Sequence, residues 1–137
     1  MNWDKPASVA MLVAIMGAFG VYAFNAYHQR SAYKAGVPVC VSDAECEAAR
    51  MAARSWVLAN SPFDIEYESA STIRTKREDP QEFVSKRMAI EVNFERAPHG
   101  QRITFVGRCN YLYGCDQWVR GAEFNDAISR AIEAAAK

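Results

Sequence analysis

The residues of this chain best able to do chemistry are four cysteines, Cys40, Cys46, Cys109 and Cys115, arranged as two Cys-x5-Cys pairs. Structural zinc ligands usually come in pairs about two to four residues apart, so this spacing is a poor match for a zinc knuckle. An even number of cysteines in a small domain behind an apolar N-terminal segment fits two disulfides formed in an oxidising compartment. The elements derived below set Cys46 on the inner stripe of a helix and Cys109 on the inner face of a strand. That placement favours a crossed pairing, Cys46 with Cys109 and Cys40 with Cys115, that staples helix to sheet. The local pairing within each Cys-x5-Cys is the alternative, and either contributes roughly 2–4 kcal/mol per bond.

Conventional catalytic groups are sparse. The two histidines, His28 beside the apolar segment and His99 in the turn Ala97-Pro98-His99-Gly100, read as polar loop residues. With the cysteines oxidised no Cys–His pair remains, and the chain contains no G-x-S-x-G, glycine-rich phosphate loop or H-E-x-x-H. Asp64, Glu66, Glu68, Glu91 and Glu95 fall on the polar side of alternating segments. Paired carboxylates can act as acid and base in glycoside cleavage. Carboxylates that alternate along strands are also what a solvated sheet face looks like, and Arg102 and Arg108 lie near enough in the pattern to neutralise some of them. The expectation is no catalytic residue, no cofactor, no metal site and no small-molecule substrate.

Binding chemistry is better represented. Arg74, Lys76, Arg77, Lys86 and Arg87 form a basic group that, outside the cytoplasm, would meet anionic lipid or an acidic protein surface. The 16 basic and 16 acidic residues cancel, so no global charge suggests nucleic acid. Tyr111, Leu112, Tyr113 and Trp118 surround a cysteine in one loop, and aromatics pinned in this way make good interface anchors. The expected partner-binding residues are therefore Glu66, Glu68, Glu91, Arg102, Arg108, Tyr111, Leu112, Tyr113 and Trp118.

These groups need elements to position them. Pro6 to Gln29 carries no charge, and its apolar centre Ala7 to Phe24 spans about 27 Å as a helix, close to the roughly 30 Å hydrocarbon core of a bilayer. Trp3 precedes it and Tyr22, Tyr27 and Tyr33 sit at or beyond its far end, as interfacial anchors do. A cleaved signal peptide is the competing reading, with Val21-Tyr22-Ala23 as its best cleavage site. Ala10, Ala14, Gly17 and Ala18 make a small-residue stripe on which a second membrane helix can pack. Positive charges flank both ends, so the disulfides decide orientation. The domain is expected in the periplasm or an equivalent extracytoplasmic space, on a single-pass anchor in the cytoplasmic membrane.

A chain of 137 residues, 50% of them apolar, has room for one such domain. The division is residues 1–34 as anchor and linker, with a polar linker from His28 to Pro38, and residues 35–137 as the domain. Ser42 followed by Glu45 is a capping box, and it predicts a helix with Cys46, Ala49, Ala53, Trp56 and Val57 inward, ending at Asn60-Ser61-Pro62. Phe63, Ile65, Tyr67 and Ile73 then alternate with charged residues as a first strand. Met88 to Phe94 forms a second strand and Ile103 to Tyr111 a third. Pairing Arg96 with Gln101 sets Phe94 beside Ile103 and Val92 beside Phe105 inside, with Glu95 beside Arg102 and Asn93 beside Thr104 outside. Ala122 to Lys137 is a second amphipathic helix. The expected fold is α+β: a transmembrane helix, then a helix, a three-stranded antiparallel meander and a C-terminal helix in a two-layer sandwich. The function that follows is a non-enzymatic accessory or structural subunit of a membrane or envelope complex, docking on protein. The alternatives are a released binder or inhibitor and, further off, a small hydrolase on the acidic face.

Overall fold

A computed structural model describes residues 6–77, 87–109 and 115–137. Its first element follows from the uncharged opening of the chain: α1 runs over Pro6–Ala35, 30 residues, or about 45 Å. The side chains from Ala7 to Phe24 are exposed, and the helix is long and apolar enough to cross a membrane. The stretch expected as a polar linker is instead helical as far as Ala35, and His28 lies within it. It ends at Gly36, whose N–H donates to Ala32 O (3.1 Å) and Tyr33 O (3.2 Å). The physical reason for the extension is Tyr33, whose ring is buried in the domain and draws the last turns of α1 into the fold.

The short strand β1, Val39–Cys40, comes next, followed by α2, Asp43–Asn60. Ser42 caps the helix as the sequence predicts, since Glu45 N–H donates to Ser42 Oγ (3.1 Å), while the Glu45 carboxylate reaches one residue further back than a capping box requires and accepts from Val41 N–H (3.1 Å). Ala49, Ala53 and Val57 are buried. Arg50, half-buried at the border of the inner stripe, clamps the next turn: its guanidinium donates to the Ser69 (2.9 Å) and Ala70 carbonyls and lies 4.3 Å from the Phe94 ring centroid.

The single strand expected from Phe63 is a hairpin of β2, Ile65–Glu68, and β3, Thr72–Thr75. Serine replaces glycine or proline as the turn former, since Ser71 N–H donates to Ser69 Oγ (3.2 Å) and Ser69 N–H to Thr72 O (2.8 Å). Ile65 faces Thr75 while Tyr67 faces Arg74, so Glu66 is an extra, bulged residue. A bulge reverses the side on which later side chains emerge. Glu68 accordingly turns to α2, where Arg54 meets it at 3.3 Å, and Tyr67 joins Arg74 on the opposite face.

β4, Ala89–Ala97, and β5, Gly100–Arg108, form the expected hairpin in the expected register, with Arg96 opposite Gln101, Phe94 opposite Ile103 and Val92 opposite Phe105. Gly100 adopts φ +147°, and a side chain there would collide with the Cys40 carbonyl where the turn passes β1. β1 pairs with β5, Val39 opposite Arg102, giving an antiparallel sheet ordered β1-β5-β4-β3-β2. Among the described residues the sheet thus has five strands rather than three. The last helix, α3, covers Gln117–Ala135 and begins five positions before the expected Ala122; its N-cap is Asp116, a favoured residue type there, although its side chain makes no capping bond.

Helices α2 and α3 pack on each other and over one face of the sheet. Trp56 of α2 stands edge-on to Phe124 of α3 (5.4 Å) and to Phe105 of β5 (5.7 Å), and Phe105 and Phe124 lie 5.3 Å apart. These aromatics tie both helices to the central strands. Ile73, Ile90, Val92, Ile103 and Ile128 complete a core from which water is excluded.

The disulfides correct the crossed expectation, because Cys40 bonds Cys46 and Cys109 bonds Cys115. Cys40 is brought beside the first turn of α2 by β1, an element too short to show in a hydrophobic pattern. Trypsin leaves each pair within one peptide, Ala35–Arg50 and Cys109–Arg120. Non-reducing peptide mapping should therefore find each peptide separate and two hydrogens lighter than its reduced form. A single product joining the two peptides would contradict this pairing.

Candidate interaction surfaces

The sheet face away from the helices is built from alternate residues of four strands: Tyr67, Thr72, Arg74, Glu91, Asn93, Glu95, Arg102, Thr104, Val106 and Arg108. Among the described residues no helix covers it. Its polar groups are knitted together: Thr72 Oγ1 donates to Asn93 Oδ1 (3.1 Å), Asn93 Nδ2 donates to Glu91 Oε1 (3.1 Å), and Thr104 Oγ1 donates to Glu95 Oε1 (3.3 Å). Cross-strand neighbours alternate in charge, Arg74 opposite Glu91 and Glu95 opposite Arg102. Arg74, Arg77 and Arg108 gather with Glu91 around the half-buried Val106 at one end of the face. That end is rich in guanidinium groups, which favour planar anionic partners.

The residues expected to bind a partner are thereby divided. Glu91, Arg102 and Arg108 share this face. Glu66 sits at the bulge, 3.3 Å from Arg74, and Glu68 turns toward α2, so the acidic group does not converge as alternation alone suggested. Trp118 is half-buried between α1 and α3, its ring 5.3 Å from that of Tyr33, with the Arg30 guanidinium 5.4 Å away. Tyr111, Leu112 and Tyr113 lie outside the described residues, as does Lys86. Ala10, Ala14, Gly17 and Ala18 are exposed along α1. Among the described residues no three His, Cys, Asp or Glu side chains gather in a way that could hold a metal ion.

The junction between α1 and the domain is what the sequence reading missed. β1 covers the edge of β5 only as far as Ile103, whose N–H donates to Pro38 O (3.0 Å). The next outward-facing backbone groups on that edge belong to Phe105, and Tyr33 takes both: its hydroxyl accepts from Phe105 N–H (3.1 Å) and donates to Phe105 O (2.6 Å). One side chain of the helix thus stands in for a residue of an edge strand. The Tyr33 carbonyl, which already accepts from Gly36 N–H (3.2 Å) at the end of the helix, accepts a second bond from Asn125 Nδ2 of α3 (3.0 Å). Gly121 leaves room for the ring, since a Cβ there would come within 2.6 Å of it. An aromatic among polar residues beyond an apolar run was the available signal, and it reads equally well as an interfacial anchor.

Comparison with protein-family models, with curated proteins and with solved structures gives no match.

Replacing Tyr33 by Phe keeps the ring and strands a buried N–H and C=O of Phe105. At about 1–3 kcal/mol for each of the two groups, the expected loss is about 2–6 kcal/mol in urea unfolding of the oxidised protein. An unchanged midpoint would show that the hydroxyl carries no stability.

Proposed function

We propose that this chain is a non-enzymatic, single-pass protein of a cytoplasmic membrane. Its disulfide-bonded domain lies in the periplasm or an equivalent space and docks on another protein as an accessory or structural subunit of a membrane or envelope complex. The observation that carries this reading is the sheet face that no helix covers among the described residues, with charges of both signs held in fixed order by cross-strand pairing and hydrogen bonds. Such an ordered surface favours one orientation of a complementary partner. Two disulfides support an oxidising compartment. The apolar length of α1 supports an anchor. Acid–base hydrolysis is the weaker reading, because Glu66 and Glu68 are each held by a different arginine on different sides of the bulge.

The test is photo-crosslinking in membranes of the native host, with a benzophenone amino acid at Glu95 or Thr104 and, as a control, at Arg130 on α3. A discrete protein adduct is expected from the sheet positions and none from Arg130. Reversing Arg74, Arg102 and Arg108 to Glu should lower the adduct about tenfold or more, as like-charge juxtaposition costs several kcal/mol. Absence of any adduct from the sheet positions, or one indifferent to the reversal, would sink the docking proposal. Intact mass of the same material reads the anchor: a full-length chain supports it, and a mass beginning near Phe24 assigns a released binder instead.

A further inference from the structure

We infer that the outer side of α2 is a self-association seam, on which α2 of a second copy of this chain packs in parallel within one membrane. This rests on the reading of α1 as a membrane anchor and is independent of the sheet face.

The solvent side of a surface helix normally carries charge. Opposite its buried Ala49, Ala53 and Val57, α2 instead presents Ala44, Ala48, Met51, Ser55 and Leu58. Met51 is 62% and Leu58 54% exposed. No charge lies on this stripe, and Glu47 and Arg54 stand at one border of it. Its residues are alternately four and three positions apart, the period of about 3.5 that marks a seam between two helices.

The direction of α2 selects the occupant. α3 runs parallel to α1, since Trp118 lies by Arg30, Gly121 by Tyr33 and Asn125 by Gly36. α2 runs the opposite way, with Trp56 against Phe124 and Asn60 beside the start of α3 in the cleft that Gln117 also lines. With α1 across the bilayer, α2 therefore stands along the membrane normal, and its stripe does not lie flat on lipid. A second copy in the same membrane is related by rotation about that normal, so its α2 stands at the same height and points the same way. Ala44, Ala48, Met51, Ser55 and Leu58 then meet their own counterparts. In such a parallel pair each border residue faces the one five positions on, so Glu47 faces Ala52 and Arg54 faces Ala59 of the second copy, and no like charges meet. Arg54 keeps its bond to Glu68. An 18-residue helix is about 27 Å long, and a seam of that length buries less than the roughly 1,000 Å² expected of a stable interface in dilute solution. Anchoring in one plane raises the effective concentration of a like-oriented copy, as a linker does, which suits a seam of this size to a second copy of the chain.

The test is photo-crosslinking of the full chain in membranes of the native host, with a benzophenone amino acid at Ala59. An adduct of twice the chain mass is expected. Met51→Glu with Leu58→Glu sets like charges opposite each other and should lower it about tenfold or more. Met51→Lys with Leu58→Lys should do the same, and co-expressing the Glu and Lys chains should restore it, because each position meets itself. Ala44→Leu, at an exposed position, should raise the adduct and tests the seam without a disruptive change. No double-mass adduct, one that survives both charged variants, failure of the mixed chains to restore it, or no rise with Ala44→Leu would overturn the seam. An adduct of any other mass assigns another protein to the stripe and overturns the second copy. Carbonate extraction is read separately: release of the chain overturns the anchor reading and the parallel pair with it, whereas a retained chain without the double-mass adduct overturns the seam alone.

Discussion

The arrangement of this protein hangs on the hydroxyl of Tyr33 and the two backbone groups of Phe105 that it satisfies. An edge strand leaves a row of N–H and C=O groups that need partners, and leaving them buried and unpaired costs about 1–3 kcal/mol each. β1 supplies partners for only part of that edge. A side chain from the end of a long helix supplies the next pair, so completing the sheet and attaching α1 to the domain are one event. The neighbourhood is shaped to allow it. Gly121 gives the ring its space, Trp118 packs beside it, and Asn125 adds a second hydrogen bond to the Tyr33 carbonyl at the end of the helix.

A consequence is that α1 and the domain behave as one body. A flexible tether would let the domain sample many orientations, whereas a helix that enters the core fixes the direction of the sheet relative to its own axis. The face left uncovered by α2 and α3 then points in a defined direction from α1. Its polar groups are bonded to one another across strands, which spends little side-chain entropy when a partner arrives. The Glu66 bulge contributes by exchanging the sides of the residues after it, so that the cation–π pair of Tyr67 with Arg74 belongs to the open face and the Arg54–Glu68 pair to the helical side.

Much of this was legible in the residues, and the limits have physical causes. The β4–β5 register followed from two-residue alternation, because any one-residue slip would have put Phe94 and Ile103 into water. The start of α2 followed from Ser42 and Glu45: Ser42 Oγ accepts from Glu45 N–H, and the Glu45 carboxylate reaches back to Val41 N–H. β1 has two residues and therefore no period, and its absence from the reading led directly to the crossed disulfides. The split of β2 from β3 was hidden by a serine turn, and the bulge changes the phase of alternation without leaving a glycine to mark it. Of the surface, Glu91, Arg102 and Arg108 were found by alternation. Arg74 was read as polar-side and basic, whereas the outward turn of Tyr67 and the Thr72–Asn93 bond became visible only once strands were paired. Tyr33 was misplaced because its partners lie 72 positions away, at Phe105.

The most direct test of the account is the distance between nitroxide amino acids introduced at Val13 in the apolar part of α1 and at Glu95 on the sheet, measured by double electron–electron resonance in lipid bilayers. A helix locked into the domain by Tyr33 predicts a single narrow distance distribution. A broad distribution, as a flexible tether would produce, would contradict it.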